Sequence, residues 1–188
     1  MNKYGINRDR AFKLVSNTLN NPNLLKHSLA SEAVMRRLAT HFGEDPEKWG
    51  LAGLLHDLDA ESQPELATHT QETQRVLFSM GVDEEIVEAI CLHNELAHTQ
   101  RRSTRFHHAL AAGETITGLI IATALVYPDK RLASVKPKSV RKRMKEKQFA
   151  AGANREIIME CEQIGIPIAD FCDLCLNAMQ GISQDLGL

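Results

Sequence analysis

Two metal-binding side chains, His56 and Asp57, stand side by side at the end of the apolar run Trp49-Gly-Leu-Ala-Gly-Leu-Leu. An imidazole and a carboxylate differ in hardness, and a core helix has no use for a buried charge unless something opposes it. The pair therefore asks for a cation. Upstream, His27 falls on a stripe with Leu24, Ser31, Val34 and Leu38 at helical spacing. Downstream, His69 shares a stripe with Thr73, Val76 and Met80, and His93 follows Ile86, Ala89 and Ile90 in the same way. Glu114 lies on one face with Leu110, Thr117, Ile121 and Leu125, where an unpaired carboxylate would need a counter-charge or hold its proton. Imidazoles mixed with carboxylates suit Fe, Mn, Zn, Co or Ni without selecting among them.

Positioning these residues requires helices. Strand signals are almost absent while helix starts and stops recur, so the expected fold is all-α. Asn7 caps a first helix to about Asn20, and the Asn-Pro-Asn turn at 21–23 leads into the His27 helix, which stops at Gly43. Asp45 before Pro46 starts the helix ending in His56-Asp57; Gly81 ends the His69 helix; Asp83 caps the one carrying His93. A polar connection from Asn94 to Thr104 precedes a long helix bearing Glu114, which ends near Tyr127-Pro128. Ser139 and Asn154 read as caps of two further helices, and Gly165-Ile-Pro opens the final one. A single domain over 1–188 is expected, with the metal-binding core at about 20–127 and a C-terminal helical appendage at about 128–188.

Composition sets wide bounds. A chain of 188 residues, 43% hydrophobic with a formal net charge of −2, fits an ordinary globular protein, and its global charge points to no partner class. The N-terminal stretch Met-Asn-Lys-Tyr-Gly-Ile-Asn-Arg carries no apolar signal, and the apolar run around 118–127 is about half the roughly 20 residues of a membrane span, so no membrane partner and a cytoplasmic location are expected. Four cysteines, Cys91, Cys161, Cys172 and Cys175, do not make a disulfide framework. Cys172 and Cys175 share helical spacing with Phe171, Leu176 and Met179 and read as small buried hydrophobes rather than a redox pair.

Any one of these histidines alone reads as a satisfied core residue, but inward-facing ligands from several helices are how bundles build metal sites. The order His27, His56-Asp57, His69, His93 and carboxylate resembles the HD superfamily of metal-dependent phosphohydrolases over about residues 20–127. The interval from His69 to His93 is similar to the branch with two added histidines. The segments Thr117-Gly-Leu-Ile, Lys138-Ser-Val and Asn154-Arg-Glu are similar to uncharacterised bacterial members. The resemblance implies an HD-domain helical bundle with additional C-terminal helices. It implies that His27, His56, Asp57 and the last carboxylate hold one divalent transition metal, and that His69 and His93 serve a second, with Asp57 bridging two ions, Fe or Mn for preference. The superfamily pattern ends in aspartate, where this chain offers Glu114; Asp129, after Pro128 in an exposed loop, is the poorer candidate.

A metal in such a site lowers the pKa of bound water from 15.7 toward about 7, and a pair can also hold a phosphoryl oxygen. The expected activity is hydrolysis of a phosphoester or phosphoanhydride in a nucleotide or other small phosphorylated compound. Asp57 would act at the metal, and Asp59 and Glu61, just beyond the doublet, as general acid or base. Arg101, Arg102 and Arg105 would clamp phosphate oxygens. The basic run Lys136, Lys138, Arg141, Lys142, Arg143, Lys145 and Lys147 lacks interleaved aromatics, which disfavours nucleic-acid binding; folded over the site, it would steer an anionic nucleotide inward. Two other readings stand beside hydrolysis: oxidative cleavage at a di-iron site, and a non-catalytic, metal-stabilised binding or sensor module.

Overall fold

Local capping chemistry decides where most helices begin. The computed structural model describes residues 3–188; Met1 and Asn2 of the N-terminal stretch lie outside the described residues. Helix α1 (Arg8–Thr18) starts where the Asn7 side chain accepts from Arg10 N at 2.9 Å. Helix α2 (Pro22–Phe42) follows Asn21-Pro22 and ends at Gly43, whose left-handed φ of 71° suits a residue without a β-carbon. Asp45 caps α3 (Pro46–Leu55), and Asp83 caps α5 (Glu84–His93) through Glu85 N and Ile86 N. Between them lies α4 (Gln71–Ser79). Thr104 caps α6 (Arg105–Leu125). The C-terminal part holds α7 (Pro137–Lys145), α8 (Arg155–Ile158) continued by a 3₁₀ turn at Met159–Glu162, α9 (Ile168–Gln180) and α10 (Ser183–Leu186). No strand occurs among the described residues, as the all-α expectation required.

Two local expectations need correcting. His69 does not ride on a helix: it ends a turn before α4, and Thr70 behind it takes a φ of +84°. Ser139 is no cap, because Pro137 occupies the first turn of α7 with Lys136 before it, and Ser139 Oγ instead meets Tyr127 Oη at 2.6 Å.

Helix α6 touches α2, α3, α5, α7, α8 and α9, while α1 packs on α3, α4 on α5 and α10 on α2. It is long and apolar enough to cross a membrane by length and composition, contrary to the shorter apolar run expected, but 61% of its apolar window is buried inside the bundle, as in a core helix. The α2–α3 pair is closest. A β-carbon on Gly53 would lie 2.5 Å from the Ser31 carbonyl oxygen, so the two backbones approach to a distance that only glycine permits. One apolar cluster runs from Ile6 through Leu54, Ile90 and Leu110 to Phe171 and Leu186, each fully buried and each contributing roughly 1.5–3 kcal/mol by leaving water. Cys172 and Cys175 belong to it; burial pushes the Cys172 thiol up to about 12, which suits a packing residue rather than a redox one.

Candidate metal centre

Four imidazoles turn the same nitrogen toward one point. His56, fully buried at the C-terminus of α3, has Nδ1 2.9 Å from Gly53 O, and His93, the last residue of α5, has Nδ1 2.6 Å from Ile90 O. A carbonyl oxygen only accepts, so both Nδ1 atoms carry a proton and Nε2 is the nitrogen that can offer a lone pair to a metal. On α2, His27 Nδ1 lies 2.9 Å from Thr117 Oγ1, and that hydroxyl donates its own hydrogen to Glu114 O, so His27 Nδ1 is again the donor. His69 Nδ1 stands 2.9 Å from Asp59 Oδ1, in ion-pair contact although off line for a straight hydrogen bond.

The Nε2 atoms converge on Asp57. His27 and His56 face each other at 3.1 Å, and His69 and His93 at 3.2 Å. Asp57 Oδ1 lies 3.1 Å from His69 Nε2 and 3.5 Å from both His56 Nε2 and His93 Nε2, while Asp57 Oδ2 lies 3.6 Å from His27 Nε2. Facing nitrogen lone pairs repel unless a proton or a cation sits between them. Neighbouring ligands on one ion with bonds of about 2.1 Å stand about 3.0 Å apart at right angles and about 3.4 Å apart in a tetrahedron, so the observed separations fit a metal. The residues form two groups of this kind, His27–His56–Asp57 and Asp57–His69–His93, with Asp57 in both.

Glu114 stands outside both groups but next to them. Its Oε2 is 3.5 Å from His27 Nε2, and its Oε1 accepts the Thr115 hydroxyl. Asp129 serves its own loop through Arg131 N and Ser134 Oγ, so the carboxylate at the cluster is Glu114.

The electrostatics follow from burial and proximity. Burial drives the His56 pKa down to about 4 and keeps that ring neutral. For His69, burial also disfavours the charged form, but Asp57 and Asp59 outweigh it and raise the pKa to about 9. Burial of Asp57 would favour its acid form; the surrounding imidazoles reverse this and hold its pKa well below the usual carboxylate range. A metal would take the place of the proton that His69 carries without one.

The other expected site residues are placed less centrally. Asp59 is 2% exposed and accepts from Thr70 N, Glu72 N and Thr73 N, so it ties down the start of α4 and holds His69 rather than facing the cavity. Burial would raise its pKa, but His69 and those amides lower it. Glu61 accepts from Asn21 N at 2.5 Å and Asn20 Nδ2 at 3.3 Å, fastening the start of α2 on the outside. Arg101 donates to Glu95 O, and Arg105 lies over the Phe42 ring and 3.5 Å from Glu44; neither borders the metal cluster. Arg102 does border it, yet its guanidinium is committed: Nε and Nη2 grip Glu160 at 2.8 and 2.7 Å, and Nη1 caps Leu92 O and His93 O at 2.7 and 3.2 Å.

Three contributors went unassigned in the sequence. Thr117 already stood on the Glu114 stripe, three residues on, and that spacing was the available signal for its contact with His27. Asn94 joins Leu66 O and His69 O and so ties the end of α5 to the His69 turn. Glu160 reaches Arg102 and His108 across more than fifty residues, with nothing local to announce it.

A cavity of about 900 Å³ opens onto the cluster, bordered by His27, Asp57, His69, His93 and Glu114 on one side. Its outer walls are mostly apolar, and Leu66 and Leu96 at its edge are exposed. This is the form of a ligand site with convergent polar groups at one end.

No curated protein and no solved structure matches this chain. The family model described as HD domain matches residues 24–126, which contain every residue of the cluster. That match spans more than half the chain and includes the His-Asp doublet that the geometry puts at the centre, so the chain belongs to the HD domain family.

Proposed function

We propose that this protein is a metal-dependent hydrolase of phosphoester or phosphoanhydride bonds, acting on a nucleotide or another small phosphorylated compound with two divalent transition metals, Fe or Mn by preference. The observation that carries the reading is Asp57, one carboxylate facing two separate pairs of histidine nitrogens at the floor of an open cavity. Bound there, divalent metal would lower the pKa of water toward about 7 and draw charge from a phosphoryl oxygen. His27, His56 and Asp57 would hold one ion, with Glu114 beside them, and Asp57, His69 and His93 the other. Gly53 O, Ile90 O and Thr117 Oγ1 fix the rings so that Nε2 stays available, and Asp59 holds His69 from behind, the usual service of a carboxylate behind a ligating histidine. Glu114, able to accept or give a proton, touches His27 and borders the same cavity.

The test is metal analysis of the purified protein and of Glu114→Ala, with phosphate release from a panel of nucleotides and sugar phosphates measured on the same samples. About two transition metals per chain and phosphate release by the wild type, both reduced in the variant, support the reading. Absence of metal after reconstitution with iron, manganese or nickel would overturn it, and oxygen uptake without phosphate release would replace it by oxidative cleavage.

A further inference from the structure

The metal cavity does not end at its apolar wall. Its far side is formed by Ala150, Gly152, Ala153, Asn154 and Ile157, from a part of the chain beyond the family match. Gly152, Ala153 and Asn154 are also one wall of a second cavity, of about 460 Å³, which adds Lys147, Arg155 and Glu156. A ligand anchored at the histidines and extending over the shared rim 152–154 would therefore meet a different electrostatic setting. Within the first cavity the one guanidinium, Arg102, is consumed by Glu160, and Glu95 adds a negative charge. In the second, Lys147 has no carboxylate within ion-pair distance among the described residues.

Arg155 shapes the wall between them. Its Nη1 donates to Ala150 O and Ala153 O, and its Nη2 to Arg143 O, Glu146 O and Phe149 O, while Nε is buried without a partner. A peptide's N–H points opposite to its C=O, so gathering those carbonyls turns the amides of Lys147, Ala150, Ala151 and Asn154 away from Arg155. None of these four amides has an acceptor among the described residues. Lys147, Ala151 and Asn154 line the second cavity, so their amides, left without acceptors, and the unpaired Lys147 ammonium beside them offer a surface for an anion. Glu156 is the one carboxylate lining that cavity.

We infer that the loop 147–155 is a second anion site, and that the substrate is a phosphorylated compound whose apolar body carries another anionic group, phosphate or carboxylate, on the side away from the hydrolysed phosphate. The inference rests on the proposed function in placing that phosphate at the histidines. The apolar body lies against Leu24, Leu66, Leu96 and Ile157, and the second anion against Lys147 and the loop amides. The basic run noted in the sequence thus acts through its last member, while Lys138, Arg141, Lys142 and Lys145 of α7 are exposed and Arg143 lies over Phe149.

The experiment is isothermal titration of the metal-loaded protein with two matched pairs: adenosine 5′-monophosphate against adenosine 3′,5′-bisphosphate, and phenyl phosphate against 4-carboxyphenyl phosphate. Wild type, Lys147→Ala and Lys147→Arg are compared, and phosphate release is followed in parallel. The expected result is that at least one doubly anionic member binds about tenfold tighter than its singly anionic partner, the size of one charge-assisted contact. Lys147→Ala should remove that advantage without weakening the singly anionic compound, and Lys147→Arg should restore it. A preference for the phosphate pair, the carboxylate pair or both identifies the anion. Equal binding within both pairs, equal loss for both members in Lys147→Ala, or no binding at millimolar concentration overturns the inference. A tenfold advantage without phosphate release keeps the anion site and overturns the hydrolase reading, so the two fail separately.

Discussion

Two concentrations of titratable side chains in this molecule are built on opposite rules. Around a cavity of about 320 Å³ near the start of α3 and α6 lie Glu44, Asp45, Lys48, Glu85, Arg105 and His107. There every cation has a carboxylate: Lys48 reaches Glu85 at 2.7 Å and Asp83 at 3.2 Å, and Arg105 reaches Glu44 at 3.5 Å. At the metal centre no Lys or Arg pairs with Asp57 or Glu114 among the described residues, and ring nitrogens face one another instead. The first cluster is complete as it stands, whereas the second has no Lys or Arg and only ring protons to oppose its carboxylates. Counting acids and bases would rank the two alike; asking where each proton and lone pair goes separates them.

Breaking the comparison at its strongest point means removing Asp57, the carboxylate common to both histidine pairs. Asp57→Ala should lose both metal equivalents and all phosphate release, read by metal analysis and a phosphate assay; retention of one full metal equivalent would show that the two groups do not depend on it. Next in size is Arg102→Ala, which leaves the Glu160 carboxylate, 14% exposed, without its guanidinium. A loss of about 3 kcal/mol in chemical denaturation is expected, the scale for breaking a buried pair. A changed Michaelis constant at unchanged stability would instead restore Arg102 as a phosphate clamp.

Asp59→Asn keeps an acceptor for the α4 amides but removes the charge behind His69. It should weaken metal affinity by about 10–100-fold, with the ion at His69 and His93 more affected than the one at His27. Smallest is Asp45→Ala in the self-sufficient cluster, which should cost about 1 kcal/mol as a lost helix cap and leave metal content unchanged. The Asp45 carboxyl is held below the usual carboxylate range by Lys3, with Tyr4 next. A depressed folded-state pKa means that this stabilisation is present above the unfolded value of about 3.9 and is lost as pH falls through the folded one. Denaturation of wild type and variant should therefore converge in acid; a gap that widens there would contradict the pairing.

Much of the fold was legible because its signals are short-range. Asn7, Asn21-Pro22, Asp45-Pro46, Asp83 and Asn154 each sit within three residues of the amides they satisfy. His69 was misplaced onto a helix because its segment is organised by Asp59, whose carboxylate captures amides 11 to 14 residues away. The same distance effect ties Asp59 and Glu61 away from the cavity lining: nearness to the doublet in sequence said nothing of what had already bonded to them. The convergence on Asp57 was legible in outline, since each ligand lay on an inward stripe or at a helix end. The commitment of Arg102 to Glu160 was not, because that pairing joins the core to the C-terminal helices across 58 positions.

Gly53 carries a consequence for ion choice. Its carbonyl takes the His56 ring proton, and its missing β-carbon lets α3 rest on the Ser31 backbone of α2, the helix that presents His27. The calibre of the His27–His56 gap is thus gauged by a residue that touches no ion. A single methyl at position 53 would act as a shim between the two rings while leaving both intact, so the size of ion they could hold would shift without any change in the donor set.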